Sequence, residues 1–387
     1  MHVEQSGTRG GPGGRRAAAH LHRRGQDRGE RALTSKHPTL TVDAAIVGAG
    51  VAGLWLANLL SARGLSVAVC DGNAVGGQQT LASQGIVHGG GKYALDGRDS
   101  PLSRALADMP GRWRACLRGD GEIDLRGVQV LSQRVTVYGP DGTRDELDEV
   151  VVDVPALVRR LAEPVADRLL PWSVPADSIT RTAAGVERVE CGEYAIRADT
   201  YVFAAGIGNE SLASRAGFDV SMRRRPLRQL VVRLPRPVAL FAHCTSDNAG
   251  DGPLMTVTSH GNALYVGGGV AEDDAGPDEH IRVVRGLLAR YFPALDLDGA
   301  TFVDVSAVRA EPGVVSPDAD IREARDPFVT RRGNCFLCWP IKMSLAPRLG
   351  DLVLAQWGSR EPLAPGWTGH PGTRPAFGRP PYATPPC

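Results

Sequence analysis

The sequence has no excess of charge of one sign. Its 387 residues include 44 Lys and Arg and 43 Asp and Glu, which gives a formal net charge of +1. Proteins that bind nucleic acid or acidic membranes through overall charge have a large basic surplus. The near-neutral balance therefore gives no argument for nucleic acid as a partner, and the 42% hydrophobic fraction is typical of a soluble globular chain.

The sequence also lacks the apolar core of a signal peptide, an internal repeat of fixed period and a convincing membrane span. Its most apolar stretch, residues 44–60, is short for a span and is interrupted by Gly48, Gly50 and Gly53. A buried strand followed by a buried helix accounts for this stretch better, so no transmembrane segment is predicted.

The seven cysteines form neither a disulfide framework nor a zinc pattern. Cys335 and Cys338 have CxxC spacing but lie in an apolar run that predicts a strand, so we interpret them as core thiols. His243 and Cys244 have no partners at metal-ligand spacing, and no metal site is predicted. Scattered thiols without a signal peptide favour a reduced, cytoplasmic protein.

The two ends of the chain differ in composition from the middle. Residues 1–39 are rich in glycine and arginine, and residues 358–387 are dense in proline and glycine. Segments of this kind bury too little apolar surface to fold. We therefore expect a disordered basic leader and a disordered tail, although a basic leader could also contact RNA or serve as a mitochondrial presequence.

A glycine-rich turn lies between two predicted strands at the start of the middle part. The segment TVDAAIVGAGVAGLWLANLLSARGLSVAVCD has a strand, GxGxxG at Gly48, Gly50 and Gly53, a helix, and a second strand that ends at Asp71. These glycines allow the tight turn, the approach of a pyrophosphate and close helix–strand packing. The helix N-terminus would face the phosphates, and the Asp71 carboxylate would accept ribose hydrogen bonds. The pattern predicts a dinucleotide site without distinguishing FAD from NAD.

The segment after Asp71 favours FAD. It reads GNAVGGQQTLASQGIVHGGGKYAL, in place of the alternating strands and helices that usually continue an NAD domain. This segment resembles the D-amino-acid-oxidase-like (DAO) superfamily of FAD-dependent oxidoreductases. It looks most like the glycerol-3-phosphate and L-2-hydroxyglutarate dehydrogenase branches, which carry a Ser-rich stretch ending in Ile-His-Gly/Ala-Gly. The resemblance covers about residues 42–356.

The resemblance implies contacts with FAD at three further places. One is a segment along the pyrophosphate and ribityl chain, one is an Ala-x-Gly turn, and one is a final helix whose positive N-terminus faces the flavin. The chain departs from the family at residues 339–343, WPIKM, where many members have a glycine-rich turn. The implied cofactor-binding residues are Thr80, Ser83, Gln84, Gly85, Ala205, Gly206 and Lys342.

Alternating apolar residues between the nucleotide segments predict a second, mainly antiparallel sheet, which in the family covers the flavin and carries substrate contacts. The predicted fold is α/β, with a Rossmann-type FAD-binding domain interleaved with a mainly antiparallel substrate-binding sheet domain. We expect the FAD-binding domain to comprise residues 40–120, 151–216 and 306–357. The substrate domain would comprise residues 121–150 and 217–305.

Three residues are candidates for catalysis. A flavin accepts a hydride at N5, and a donor with an O–H group must also lose a proton to a base. His88, in SQGIVHGGGKY, could be this base, a hydrogen-bond partner of N5, a covalent attachment point for FAD, or only a structural residue. His260 follows a predicted strand and could enter the site from the second sheet. Arg309 could hold a carboxylate or phosphate, or could pair with Glu311.

The sequence therefore predicts an FAD-dependent oxidoreductase that oxidises a small polar, anionic hydroxy acid or polyol phosphate by hydride transfer to flavin N5. Lys92 and Gln229 are weaker candidates, of which Lys92 would add charge for an anionic substrate. The electron acceptor would be O2 or another acceptor, and the partner a small-molecule substrate. An amino-acid or amine oxidase of the same fold, an NAD(P)-dependent dehydrogenase and an inactive flavin-fold binding protein remain alternatives.

Overall fold

The structure, a computed structural model, describes residues 38–93, 100–191, 193–246, 252–272, 275–313, 327–358 and 373–383. The chain divides into the units Met1–Lys36 and His37–Cys387, and the described residues all lie in the second. Almost all of the expected leader, and residues 359–372 and 384–387 of the expected tail, lie outside the described residues.

Strands make up most of the regular structure. The strands of the described residues are β1 (Thr39–Val47), β2 (Val67–Cys70), β3 (Ile86–Val87), β4 (Val130–Ser132), β5 (Val135–Tyr138), β6 (Arg144–Leu147), β7 (Val150–Val152), β8 (Leu169–Leu170), β9 (Ile179–Thr182), β10 (Gly185–Cys191), β11 (Tyr194–Phe203), β12 (Met222–Arg233), β13 (Phe241–Cys244), β14 (Met255–His260), β15 (Ala263–Gly267), β16 (Thr301–Pro312), β17 (Phe328–Arg332) and β18 (Cys335–Trp339).

The helices connect and cover these strands, with short 3₁₀ turns between them. The α-helices of the described residues are α1 (Val51–Ser61), α2 (Pro101–Leu106), α3 (Met109–Arg118), α4 (Val154–Ala162), α5 (Asn209–Ala216), α6 (Pro277–Tyr291) and α7 (Ala346–Ala355).

An eight-stranded sheet carries the glycine-rich turn. Its order is β17-β18-β11-β1-β2-β8, with β10 pairing with β11 and β9 with β10. The strands β18, β11, β1, β2 and β8 are parallel to one another, while β17, β10 and β9 add antiparallel pairs. A parallel strand in the middle of a sheet is covered on both faces. This explains why the last six residues of β1 are all buried and, apart from Asp43, all apolar.

A second, seven-stranded sheet has the order β16-β12-β15-β14-β13-β5-β6. Every pair in it is antiparallel except β13 with β5. A small third sheet, β3-β7-β4, is antiparallel. These sheets and helices confirm the predicted α/β fold with a mainly antiparallel second sheet. The boundary expected at residue 306 falls inside β16, which pairs with β12 over its whole length.

The core beneath the glycine-rich turn is built around α1. Ten of its eleven residues are buried, as expected for a helix that is apolar on all sides. It packs against β2, α4 and α7, and the Trp55 ring contacts the Trp113 ring of α3 with centroids 4.9 Å apart. The helix and the turn before it are therefore held from several directions at once.

The chain near its C-terminal end differs from the expectation of an unstructured tail. Residues 373–383 pack on the folded body, where the Val75 N–H donates to Ala376 O at 2.9 Å and the Gly378 N–H donates to Val75 O at 3.0 Å. Tyr382 is buried and its ring stacks on the His260 ring, with centroids 3.8 Å apart. Backbone hydrogen bonds to a distant part of the chain can hold a segment rich in proline and glycine in one conformation. Amino-acid composition does not record such contacts, so the order of this segment was not predicted.

Two further expectations concern membrane spans and thiols. Among the described residues, no helix has both the length and the apolar character needed to cross a membrane. Six cysteines are described, and each is a buried free thiol. Cys335 and Cys338 both lie on β18, where burial raises the pKa of Cys335 to about 11. An unreactive core role for this CxxC pair fits these surroundings.

Candidate functional site

A cavity of about 910 Å³ lies between the two large sheets, above the ends of β1, β2 and β11. Its volume is near the top of the roughly 300–1,000 Å³ range of small-molecule and cofactor sites. In the described part of the chain its walls come from nine segments, many of them far apart in sequence. The lining residues lie within 47–52, 70–92, 172–174, 204–212, 223–229, 252–254, 268–272, 307–310 and 338–344.

The glycine-rich turn forms one end of the cavity. Gly48 has φ +108°, and a Cβ there would lie 2.5 Å from the carbonyl oxygen of Ala204. Gly50 precedes the first residue of α1, and the Val51 N–H donates to Thr80 Oγ1 at 3.1 Å. Gly53 does not line the cavity, because it packs against Gly48 beneath the turn. The N-terminus of α1 thus faces the cavity, as a phosphate-binding turn requires.

Asp71 closes the turn from the end of β2. Its carboxylate accepts the Ala49 N–H at 2.7 Å through Oδ2 and the Asn73 N–H at 2.9 Å through Oδ1. Asp71 also lines the cavity. The side chain therefore fixes the shape of the turn, and the ribose contact expected for it remains a prediction.

The segment from Thr80 to Gly85 is hydrogen-bonded to the second, seven-stranded sheet. The Gln84 side-chain amide donates to Thr256 O at 3.0 Å and Tyr265 O at 2.9 Å, so Gln84 ties this segment to the second sheet. Ser83 Oγ lies 3.7 Å from Met343 Sδ. Gly85 has φ +73°, and a Cβ there would lie 2.3 Å from a carbonyl oxygen of β7. All four implied residues of this segment line the cavity.

The Ala-x-Gly turn and the entry to α7 line the cavity from the other side. The Ala205 N–H donates to Asn209 Oδ1 at 2.8 Å, and Gly206 has φ +56° with open space where a Cβ would lie. Lys342 precedes α7, and its carbonyl accepts the Leu345 N–H at 3.1 Å. Burial, together with the cations Arg309 and Lys92, lowers the pKa of Lys342 well below its usual value.

His88 is hydrogen-bonded to a buried carboxylate. The pairing of β3 with β7 places Val87 opposite Val150, so the next residue, His88, meets Glu149. His88 Nδ1 lies 3.1 Å from Glu149 Oε1, and Glu149 Oε2 lies 2.9 Å from His243 Nε2. The exposed fractions of the three side chains are 12%, 1% and 0% for His88, Glu149 and His243. Of the three, His88 alone lines the cavity.

Protonation states in this group follow from burial and charge. Burial and the Lys92 cation lower the pKa of His88 to about 3. Burial alone would raise the pKa of Glu149, but the His88 and His243 rings hold it well below its usual range. Burial also lowers the pKa of His243. At neutral pH the carboxylate is ionised and both rings are neutral.

The donor atoms of His88, Glu149 and His243 lie within 4.8 Å of one another, a spacing at which they could hold a metal ion. The sequence predicted no metal site because these residues are far apart along the chain. The hydrogen bonds between them account for the grouping without an ion.

Arg309 lies in a cluster of charges on β16 and the elements beside it. The register of β12 and β16 places it opposite Arg225, and both line the cavity. Arg309 Nη1 lies 3.9 Å from Glu272 Oε1 and 3.7 Å from Glu311 Oε1. Both contacts are ion pairs whose separations exceed hydrogen-bonding distance. The pairing with Glu311 considered from the sequence is therefore present, without a hydrogen bond to the guanidinium.

His260 is not among the residues that line the cavity. Its Nε2 lies 3.1 Å from Thr258 Oγ1 and its ring stacks on Tyr382. Burial lowers its pKa to about 4. Twelve of the fourteen residues singled out from the sequence do line the cavity, and Gly53 and His260 are the exceptions.

Glu149 and Arg225 were not among the residues predicted from the sequence. Glu149 ends the acidic run RDELDE, and Arg225 lies in the basic run RRRP. Among several neighbouring residues of like charge, the sequence does not indicate which one is buried or lines a cavity. His243 was considered only with Cys244. Strand pairing, which brings these residues together, leaves no local mark in the sequence.

The lining fits an elongated dinucleotide. The glycine-rich turn has no room for side chains, Gly206 leaves an open face, and the α1 N-terminus supplies amides for phosphates. The His88 ring and the cations Arg309, Arg225, Lys92 and Lys342 line the same cavity. One cavity thus combines a turn suited to phosphates with side chains that can bind an anion or move a proton.

Comparisons with known proteins agree with this geometry. A family model described as FAD dependent oxidoreductase (DAO) matches residues 43–171 and 142–355. The chain is 36% identical over 364 residues to the probable FAD-dependent oxidoreductase PA4991 of Pseudomonas aeruginosa, covering 82% of this chain and 91% of that protein. The crystal structure of PA4991 matches with a TM-score of 0.76 at 34% identity, over 88% of this chain and 97% of that one. Glycine oxidase from Geobacillus kaustophilus, 17% identical with a TM-score of 0.62 over 81% and 94% of the two chains, shares the fold.

Proposed function

The chain belongs to the DAO family of FAD-dependent oxidoreductases, and we propose that it oxidises a small anionic hydroxy donor, a hydroxy acid or a polyol phosphate. FAD is the cofactor and supplies the acceptor for the hydride. This membership sets aside the NAD(P)-dependent dehydrogenase and the inactive binding protein. The substrate class and the roles of individual residues are the proposal.

The His88–Glu149 hydrogen bond is the observation that carries the proposal. A hydroxy donor must lose its O–H proton as the C–H bond breaks, whereas an amine can bind already neutral. A neutral histidine that lines the cavity and is backed by an ionised carboxylate can accept that proton. The backbone N–H of His88 donates to Ser344 Oγ at 2.9 Å, which holds the residue in place.

The cationic wall supports an anionic donor. Arg309, Arg225, Lys92 and Lys342 all line the cavity, and the acidic side chains that line it among the described residues are Asp71, at the glycine-rich turn, and Glu272, beside Arg225 and Arg309. A guanidinium fork binds a carboxylate or phosphate with two parallel hydrogen bonds. We propose that Arg309 makes this contact, which would place the donor between the cations and His88.

The loop around His88 supports the same donor class, because IVHGG resembles the glycerol-3-phosphate and L-2-hydroxyglutarate dehydrogenase branches. An amino acid is the second candidate. Glu272 lines the cavity beside Arg225 and Arg309, and a carboxylate there could pair with an ammonium group. We propose that O2 or another electron acceptor reoxidises the cofactor, and that the protein works in the cytoplasm without nucleic acid.

Matched donor pairs test the proposal. The purified full-length protein would be mixed anaerobically with 2-hydroxy acids, with the 2-amino acids of the same carbon skeleton and with polyol phosphates, while the flavin absorbance is followed. We expect bleaching by a hydroxy acid or a polyol phosphate and not by the matched amino acid. Bleaching by the amino acids alone would overturn the hydroxy-donor assignment in favour of the second candidate.

A variant separates chemistry from cofactor binding. His88→Gln should keep its flavin colour and bleach more slowly by roughly 10²–10⁴-fold, the usual contribution of a general base. Unchanged bleaching would remove His88 from the reaction. Acid precipitation of the wild-type protein checks the other role considered for His88, because flavin that stays in the pellet would mean covalent attachment.

A further inference from the structure

Four side chains form a continuous chain of hydrogen bonds behind the cavity. Thr256 Oγ1 lies 2.9 Å from His243 Nδ1, and His243 Nε2 lies 2.9 Å from Glu149 Oε2. Glu149 Oε1 in turn lies 3.1 Å from His88 Nδ1. Thr256, His243 and Glu149 are each at most 1% exposed, so bulk water does not compete for these contacts.

The direction of each hydrogen bond follows from the ionised carboxylate. Glu149 can only accept, so Nε2 of His243 and Nδ1 of His88 must both carry the protons that they share with it. A neutral His243 protonated at Nε2 has an unprotonated Nδ1, which accepts a hydrogen bond from the Thr256 hydroxyl. A neutral His88 protonated at Nδ1 has an unprotonated Nε2. This single arrangement gives each of the three hydrogen bonds between these side chains one donor and one acceptor.

We propose that Thr256, His243 and Glu149 are positioning residues that hold His88 in the tautomer with Nδ1 protonated and Nε2 ready to accept a proton. This inference rests on the proposed function for the identity of the proton donor. The group takes its members from β14, β13, the residue before β7 and the residue after β3. The tautomer of His88 therefore depends on how the second sheet sits on the small third sheet.

The proton and electron balance is simple. FAD, when bound, would supply the acceptor for a hydride, so the C–H bond of the donor would break with its electron pair leaving toward the cofactor and a C=O bond would form at that carbon. The proton of the donor hydroxyl moves to Nε2 of His88. The resulting imidazolium remains hydrogen-bonded to Glu149, whose negative charge offsets it. His243 cannot take the proton further, because its Nε2 already donates to Glu149.

Nitrogen NMR of the holoenzyme with ring-labelled histidine tests the tautomer directly, without any substrate. The chain has nine histidines, and the His88→Gln variant assigns the His88 signals by their loss. We expect the wild-type His88 ring to be neutral, with a protonated Nδ1 and an unprotonated Nε2. A ring protonated at Nε2 instead would overturn the inference.

Glu149→Gln makes the sharpest perturbation. The glutamine side chain has one accepting oxygen and one donating nitrogen, so it cannot accept from both histidines. At least one of the two rings must therefore change tautomer, and the NMR signals of His88 or His243 should report this. Flavin bleaching by the hydroxy donor should slow by about 10²-fold or more if His88 is the ring that changes.

Substitutions at His243 separate positioning from simple loss of stability. His243→Met removes the donor to Glu149 and should slow bleaching, whereas His243→Gln retains an N–H donor and should restore part of the rate. His280→Met is the matched control, because His280 is also a buried histidine 3.3 Å from a carboxylate, that of Asp304, and does not line the cavity. The control should leave the bleaching rate unchanged.

The outcomes distinguish this inference from the proposed function. The expected tautomer in a protein that no hydroxy donor bleaches would leave the positioning role intact and reject the donor class. Bleaching by hydroxy donors at the wild-type rate in both Glu149→Gln and His243→Met would reject the positioning role and leave the donor class intact. One equivalent of a tightly held metal ion, lost in His243→Met, would mean that these residues are ligands and would overturn the inference.

Discussion

Replacing Gly53 by alanine should separate the glycine-rich turn from the helix that follows it. A Cβ at residue 53 would lie 1.9 Å from the carbonyl oxygen of Gly48 and 3.3 Å from Ile46 Cγ2. The neighbours that would have to move are backbone of the turn and a side chain of β1. Contact at an ordinary distance requires the helix and the turn to separate by roughly 1.5 Å.

The structure gives this change little room to relax. Gly48 is held by its N–H, which donates to Cys70 O at 2.8 Å, and α1 is buried on all sides. Overpacking usually costs about 1–3 kcal/mol, and we expect Gly53→Ala to reach about 3 kcal/mol or more even though alanine favours a helix by roughly 1 kcal/mol. The N-terminus of α1 would also leave its position against the phosphates. Gly53→Ala should therefore lose bound FAD and melt several degrees lower.

Thermal unfolding and the ratio of flavin to protein absorbance measure both effects. Gly286→Ala is the matched control, because Gly286 lies exposed within α6 with no atom near the position of a Cβ. This change should stabilise the protein by about 0.5–1 kcal/mol and leave the FAD content unchanged. A Gly53→Ala protein with the wild-type melting temperature and FAD content would refute the packing argument.

Three further predictions concern charge and an unpaired hydroxyl. Arg309→Met should raise the KM for an anionic donor about 10- to 100-fold at unchanged FAD content, because a hydrogen bond to a charged group contributes roughly 1.5–3 kcal/mol; an unchanged KM would place the anion elsewhere. Burial lowers the pKa of Lys92 to about 8, so Lys92 loses its positive charge as the pH rises through that value. The KM for an anionic donor should then rise, and Lys92→Met should abolish this pH dependence in steady-state kinetics. The buried Tyr382 hydroxyl has no hydrogen-bond partner in the described part of the chain, so Tyr382→Phe should melt at the wild-type temperature or slightly higher, and a clear fall would show a missing partner.

The glycine-rich turn at one end of the cavity was predictable because its signal is local. Gly48, Gly50 and Gly53 are close in sequence, and their spacing follows from one turn between a strand and a helix. Asp71 follows the next strand, so its side chain reaches the same turn. Each of these positions depends on backbone geometry over some twenty residues, which a sequence pattern records.

The hydrogen-bonded group behind His88 was not predictable for the opposite reason. Glu149 is 61 residues from His88 and 94 residues from His243 along the chain. Their meeting depends on the pairing of β3 with β7 and on the packing of two sheets. Nothing near Glu149 distinguishes a buried partner of two histidines from a solvated acid. The order of residues 373–383 was missed in a similar way, since their hydrogen bonds are made to Val75, about 300 residues earlier.

The arrangement of charge explains why a histidine backed by a buried carboxylate suits an anionic donor. A carboxylate base in the cavity would repel a donor that carries a carboxylate or phosphate, and it would pair with Arg309 or Lys92 before a donor arrived. Glu149 lies instead behind the neutral His88 ring, where it is 1% exposed. The donor then meets positive charge and a neutral acceptor, while the negative charge that stabilises the transferred proton stays on the far side of the ring. This division of charge is the physical reason to assign proton acceptance to His88 and anion binding to Arg309.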